Sequence, residues 1–250
     1  MIIILNEKEY VDGVLSDKNM KPSKACLFLS IYARYLYHEK NLRKAGIRKE
    51  LNLFMENNYP HYNPVDWAAN FEKYANKAGK YPLCKCPGVW ITAGELKTIT
   101  EIHDKVLERL AFTLLCLAKF SNFRNPNNNN WVNYTNGEIY SIACINTTAF
   151  EKDIKFNKLK ELELIEYAKK VNSLNIQVLY IDEDSEKKLF ISDFRKLGYE
   201  WRLYKGEKYI RCATCGILVK NTNGKRKYCK DCAENQNKMK ALQRYYENRI

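Results

Sequence analysis

Cys212-Ala-Thr-Cys215 and, thirteen residues further on, Cys229-Lys-Asp-Cys232 form two C-x2-C knuckles. Their separation suits four thiolates closing around one tetrahedral metal ion. Gly216 directly follows the first knuckle, where a glycine lets the backbone take φ > 0 and turn back over the metal. A site closed by four cysteines leaves no position for water or substrate. The expected cofactor is therefore one structural Zn2+ per chain, held by Cys212, Cys215, Cys229 and Cys232. Two disulfides are the competing use of these residues. They need an oxidising compartment, and nothing in the sequence points to one. Met1-Ile-Ile-Ile-Leu5 has no basic n-region before it and is too short for a signal h-region. The longest apolar run, residues 110 to 118, is about half of a bilayer span. The expected location is the cytoplasm.

Of the nine cysteines, five remain. Cys26, Cys116 and Cys144 fall in apolar helical patterns and read as inert core thiols. Cys84 and Cys86 form a C-x-C beside Pro87 and read as part of a packed connector rather than a second metal site.

The 250 residues carry a formal net charge of +13. Residues 201–250 hold thirteen Lys and Arg against four Asp and Glu, so +9 of that charge lies in the last fifth of the chain. A basic patch of this kind concentrates polyanions at the surface, and nucleic acid is the expected partner. An anionic membrane fits less well, because no bulky apolar face opposes the basic residues. The 18 Tyr, 10 Phe and 4 Trp argue for a folded chain rather than a disordered one.

The first ninety residues read as helices. Ser23 is placed to cap one that carries Cys26, Leu27, Leu29, Ile31, Tyr32, Tyr35 and Leu36. Gly46 separates it from a second pattern, Ile47, Leu51, Leu53 and Phe54. Pro64 suits the first position of a third helix, which would bury Trp67, Phe71 and Tyr74 and stop at Gly79. A long helix is then expected from Thr92 or Glu95 to Phe120, since Leu96, Ile99, Ile102, Val106, Leu107, Leu110, Leu114 and Leu115 recur at steps of three and four. His103 would sit on it. The run Asn125-Pro-Asn-Asn-Asn-Asn130 breaks the periodicity and reads as a mobile loop.

Gly137 to Ile145 reads as a short helix and Asn146-Thr147 as a turn. Thr148-Ala-Phe-Glu151 fits a capping box opening a second helix that runs to about Leu162. A strand follows through Val171, Asn172-Ser173 turns the chain, and residues 176–181 pair back. Helix, turn, helix and hairpin is the order of a winged helix-turn-helix. The run Leu159-Lys-Glu-Leu162-Glu-Leu164-Ile165 resembles the end of the recognition helix and the start of the wing in winged-helix regulators and replication initiators, with Glu163 where those families commonly have glycine. Taken with the C-terminal C-x2-C pairs, residues 92–235 resemble winged-helix proteins of phages and mobile elements that end in a four-cysteine zinc ribbon. The resemblance implies nucleic-acid binding inside a bacterial host cell.

These readings give a mainly α fold with a small β component: a helical N-terminal region (1–90), a winged-helix-like domain (91–185), a linker strand region and zinc ribbon (186–235) and a basic C-terminal helix (236–250). On the winged-helix reading the helix from Thr148 enters a major groove. Its candidate contacts are Thr147, Thr148, Lys152, Lys155 and Lys158, and Lys169 and Lys170 on the wing reach the flanking phosphates. Lys225, Arg226 and Lys227 form the basic cluster of the ribbon. Asp182-Glu-Asp184 reads as a solvated turn rather than a metal-binding acidic cluster.

No P-loop, dinucleotide fingerprint, H-E-x-x-H or nucleophile elbow occurs, and the three histidines (His38, His61, His103) are far apart. The chain is accordingly expected not to be an enzyme. Two function classes stand: a DNA-binding protein of transcription control or replication initiation, or an anti-defence (anti-CRISPR-type) inhibitor that binds a host nucleic-acid-handling protein.

Overall fold

The computed structural model describes residues 3–17, 24–169, 175–222 and 224–247. Ser23, Lys170 and the Asn172-Ser173 turn lie outside them. Among the described residues the chain is mainly helical, with ten α-helices and seven short strands. No described helix is long and apolar enough to cross a membrane. The chain divides into two compact units, residues 4–87 and residues 88–250, the second also taking in residues 1–3.

The first unit holds α1 (Glu7–Asp17), α2 (Ala25–His38), α3 (Lys44–Asn58) and α4 (Pro64–Lys77). Its core is aromatic: Phe28 is fully buried and packs against Tyr32 and Phe54 with ring centroids 5.4 and 4.7 Å apart. Pro64 opens α4 as expected, and the Asn63 side chain accepts from the Val65 amide. Phe71 is buried while Trp67 and Tyr74 are only partly so. Two details depart from the sequence reading. Gly46 lies inside the first turn of α3 rather than between helices. Cys26 is exposed, not a core thiol, because Ala25, Phe28 and Leu29 form the buried side of α2 at that point.

The second unit begins with β1 (Val89–Thr92), α5 (Ala93–Thr100) and α6 (Lys105–Arg124). The single long helix expected here is two helices. His103 takes φ of 54°, and the Asp104 carboxylate caps α6 by accepting from the amides of Val106 and Leu107 at 2.8 and 3.0 Å. The apolar periodicity runs through the break because both helices bury their stripes in the same core. α6 is its axis: from Leu110 to Ala118 every residue is buried. Cys116 lies there, and burial pushes its thiol well above the ordinary range.

A 3-10 turn (Pro126–Asn128) and β2 (Trp131–Val132) follow. The asparagine run is ordered, against expectation. Asn122 Oδ1 accepts from the Asn130 amide and the Asn128 side chain, both at 3.0 Å, and Asn128 also donates to the Trp131 carbonyl. Next come α7 (Asn136–Ile142), α8 (Ala149–Glu161), β3 (Ile165–Tyr167) and β4 (Ile176–Val178). The strands form an antiparallel sheet in the order β2-β4-β3. β5 (Lys187–Ile191) returns to pair antiparallel with β1. α9 (Leu197–Tyr204) packs on α6, burying Trp201 beside Phe112 at 5.2 Å between centroids. The end of α7 also approaches α9 closely enough to require Gly198, since a Cβ there would collide with the carbonyl of Ala143. β6 (Tyr209–Arg211), β7 (Leu218–Lys220) and α10 (Lys230–Glu247) complete the chain.

Candidate metal centre and basic surface

The two knuckles meet. The Sγ atoms of Cys212, Cys215, Cys229 and Cys232 all lie within 4.8 Å of one another. Four sulfurs about 2.3 Å from a tetrahedral zinc ion stand about 3.8 Å apart, and Cys215 and Cys229 are separated by 3.8 Å. The local chain explains the convergence. The hairpin β6–β7 carries the first knuckle at its turn, where the Cys212 amide donates to the Ile217 carbonyl and the Gly216 amide to the Cys212 carbonyl, both close to 2.9 Å. Gly216 takes φ of 73°, as the sequence reading required. The second knuckle opens α10, whose first turn aims the Cys232 amide at the Cys229 sulfur, 3.4 Å away.

The thiols are unequal. Burial works to raise Cys212, but the backbone amides of Cys215, Cys229 and Thr214 outweigh it and hold that thiol at about 6. Amides aimed at sulfur stabilise thiolate, the form that ligates metal. Cys232 is held at about 12, first by its hydrogen bond with Cys229. Four sulfurs this close favour one shared cation over four separate charges. The geometry fits a metal ion.

The knuckle is tied to its surroundings by residues the sequence did not single out as metal-site partners. Arg195 Nη2 donates to the Cys215 carbonyl at 2.8 Å, and the same guanidinium is gripped by Asp193 through both carboxylate oxygens. Arg211 pairs with the buried carboxylate of Glu200 at 3.0 Å. The two arginines stand on separate segments, so only folding brings them to one module.

Lys225, Arg226 and Lys227 occupy the loop between β7 and the second knuckle, and all three are exposed. Arg226 donates to the carbonyls of Tyr228 and Lys220. Among the described residues none of the three has a carboxylate partner within ion-pair distance.

The predicted α8 contacts are differently placed. Thr148 caps α8: its hydroxyl accepts from the Glu151 amide at 3.3 Å, and Glu151 accepts in return from the Thr148 amide. Thr147 donates to the same carboxylate. Both hydroxyls are thus engaged within the helix start. Lys152 is half-buried over the Tyr140 ring, 5.5 Å from its centroid. Lys155 is also half-buried, while Lys158 and Lys169 are exposed. Glu151, Asp153 and Glu161 alternate with four lysines along α8, which leaves it nearly neutral. Only Phe156 and Leu159 point into the core, so Phe150, 75 % exposed, and Ile154 face solvent. Glu163 takes φ of 56°, the conformation that glycine serves most easily.

Asp182 ties its own turn together, accepting from the amides of Asp184 and Ser185 and from the Ser185 hydroxyl. Among the described residues the four cysteines are the sole His, Cys, Asp or Glu cluster with metal-binding geometry. Comparison with protein-family models, with curated proteins and with solved structures finds no match for this chain.

Proposed function

We propose that the chain is a nucleic-acid-binding protein, with duplex DNA the favoured ligand, whose C-terminal module is a zinc ribbon. One observation carries this reading: Lys225, Arg226 and Lys227 are exposed on the cysteine-closed loop, and among the described residues no carboxylate pairs with them. Three adjacent exposed cations on a small cross-linked hairpin raise the local phosphate concentration at little cost in side-chain burial. Zinc is the metal that best suits four cysteines at these spacings. Its role is structural, because all four positions are filled by protein.

We read residues 131–178 as a winged helix-turn-helix. The order of α7, turn, α8 and the β3–β4 hairpin supports it, and β2 extends the sheet on the β4 side. α8 is too nearly neutral to dominate affinity, so on this reading it contributes positioning and sequence preference. The cellular role is transcription control or replication initiation in a phage or mobile element.

A salt titration of duplex binding tests the reading. Each neutralised phosphate gives a slope of about −0.9 in log affinity against log salt. Replacing Lys225, Arg226 and Lys227 together flattens that slope by up to about 3 and weakens binding to all sequences alike. Replacing Lys152 and Lys155 changes the preferred sequence more than random DNA. Exposed Phe150 and Ile154 on α8 favour a second reading, an inhibitor that docks on a nucleic-acid-handling protein. Absence of duplex binding by the wild type at low salt, together with tight binding to a protein partner, decides for that one.

A further inference from the structure

The start of α6 and the end of α9 run past each other and enclose a cavity of about 300 Å3. Its floor is Trp201, whose indole N–H donates to Glu108 at 3.1 Å. Lys205 lies over that indole, 5.6 Å from the ring centroid and 3.8 Å from the same carboxylate. On the wall Arg202 grips Glu207, with Nε 2.8 Å from each oxygen. Both carboxylates of the cavity are therefore engaged.

Two further cations line it without such partners. Arg109 is half-buried, and its guanidinium donates to two neutral carbonyls, those of Lys105 and Cys144, at 3.2 and 3.1 Å. Lys105 is exposed at the first position of α6. Neither makes an ion pair among the described residues. Burial first, and then the charge of Arg202, push the Arg109 pKa down. That is the response of a cation in a positive, partly desolvated site. The cavity thus holds four cations against two carboxylates already occupied.

We propose that this cavity is an anion pocket that takes a phosphate group, gripped by Arg109 and Lys105 and flanked by Arg202 and Lys205. A guanidinium fork and ammonium groups arriving from several sides match a tetrahedral anion with several acceptor oxygens. The phosphate can belong to a nucleic-acid backbone, which rests on the function proposed above, or to a free phosphate monoester. Nothing else in the proposal depends on that source.

The test uses the full chain and the indole N–H resonance of Trp201, assigned by replacing Trp67, Trp90 and Trp131 in turn with Phe. Inorganic phosphate is expected to shift this resonance saturably, whereas sodium chloride at the same ionic strength does not. Lys105→Glu, an exposed change that places an acid at a helix start, is expected to weaken the phosphate response at least tenfold, as is Arg109→Gln. A response that follows ionic strength alone, or one unchanged in Lys105→Glu, overturns the pocket. A dinucleoside monophosphate and a nucleoside monophosphate then separate diester from monoester, and duplex affinity is measured on the same variant. Saturable phosphate binding by a wild type that binds no duplex removes the nucleic-acid function and supports the pocket as a monoester site. Duplex binding that survives with no phosphate response removes the pocket alone.

Discussion

Arg195 donates a 2.8 Å hydrogen bond to the backbone carbonyl of Cys215, a cysteine of the first knuckle. The arginine is held by Asp193, whose carboxyl stays below its ordinary range: burial opposes this, and the hydrogen bonds from Arg195 prevail. Outer partners of this kind orient ligands, and their loss commonly lowers metal affinity 10–100-fold. Arg195→Ala is expected to lower zinc affinity by about tenfold. Competition against a chromophoric chelator measures it, and an unchanged affinity would show the contact to be incidental.

Metal removal should act locally. β6–β7 is a two-stranded hairpin of three-residue strands, too small to be stable without a cross-link. The aromatic core of α1–α4 contains none of the four cysteines. A strong chelator is expected to abolish hydrogen-exchange protection in residues 209–220 while leaving that of residues 25–58 intact. Protection lost together in both segments would refute a purely local role.

Glu95 is fully buried and accepts from Lys119 at 2.8 Å, from the Thr92 amide at 2.8 Å and from the Asp182 amide at 3.0 Å. It joins the start of α5, the C-terminal half of α6 and the turn before β5. Removing one partner of a buried pair leaves the other uncompensated, at a cost of about 3–5 kcal/mol. Lys119→Met is therefore expected to destabilise the second unit by about 3 kcal/mol or more. Urea unfolding followed by far-UV circular dichroism provides the measurement. A loss below about 1 kcal/mol would mean that the Thr92 and Asp182 amides alone are enough to hold the buried carboxylate.

What the sequence made legible was local chemistry. The C-x2-C spacing, Gly216, Pro64 and the Thr148–Glu151 box each encode their geometry within a few residues. Two equivalent boxes, Thr92–Glu95 and Thr135–Glu138, carry the same local signal. The break at His103–Asp104 was hidden because the apolar stripe continues across it; Asp104 as a cap was its one local sign. The roles of Arg109 and Arg195 were not readable. Each depends on a partner brought near by tertiary packing, such as Cys144 for Arg109 and Cys215 for Arg195, and no spacing along the chain records that.

Glu163 provides the last prediction. α8 ends in a Schellman arrangement: the Leu164 amide donates to the Leu159 carbonyl at 3.0 Å and the Glu163 amide to the Lys160 carbonyl at 2.9 Å. This puts Glu163 at the position after the cap, with φ of 56°. A residue with a Cβ is strained there by about 1–2 kcal/mol, which glycine avoids. Glycine gives part of that back through its greater freedom in the unfolded chain. The exposed Glu163 side chain makes no ion pair among the described residues that the substitution would remove. Glu163→Gly is therefore expected to stabilise the second unit by about 0.5–1 kcal/mol. Glu163→Ala keeps the Cβ and removes only the charge, so it should be close to neutral. Chemical denaturation of the two variants side by side separates the causes. A gain in the alanine variant equal to that in the glycine variant would assign the effect to charge rather than to backbone conformation.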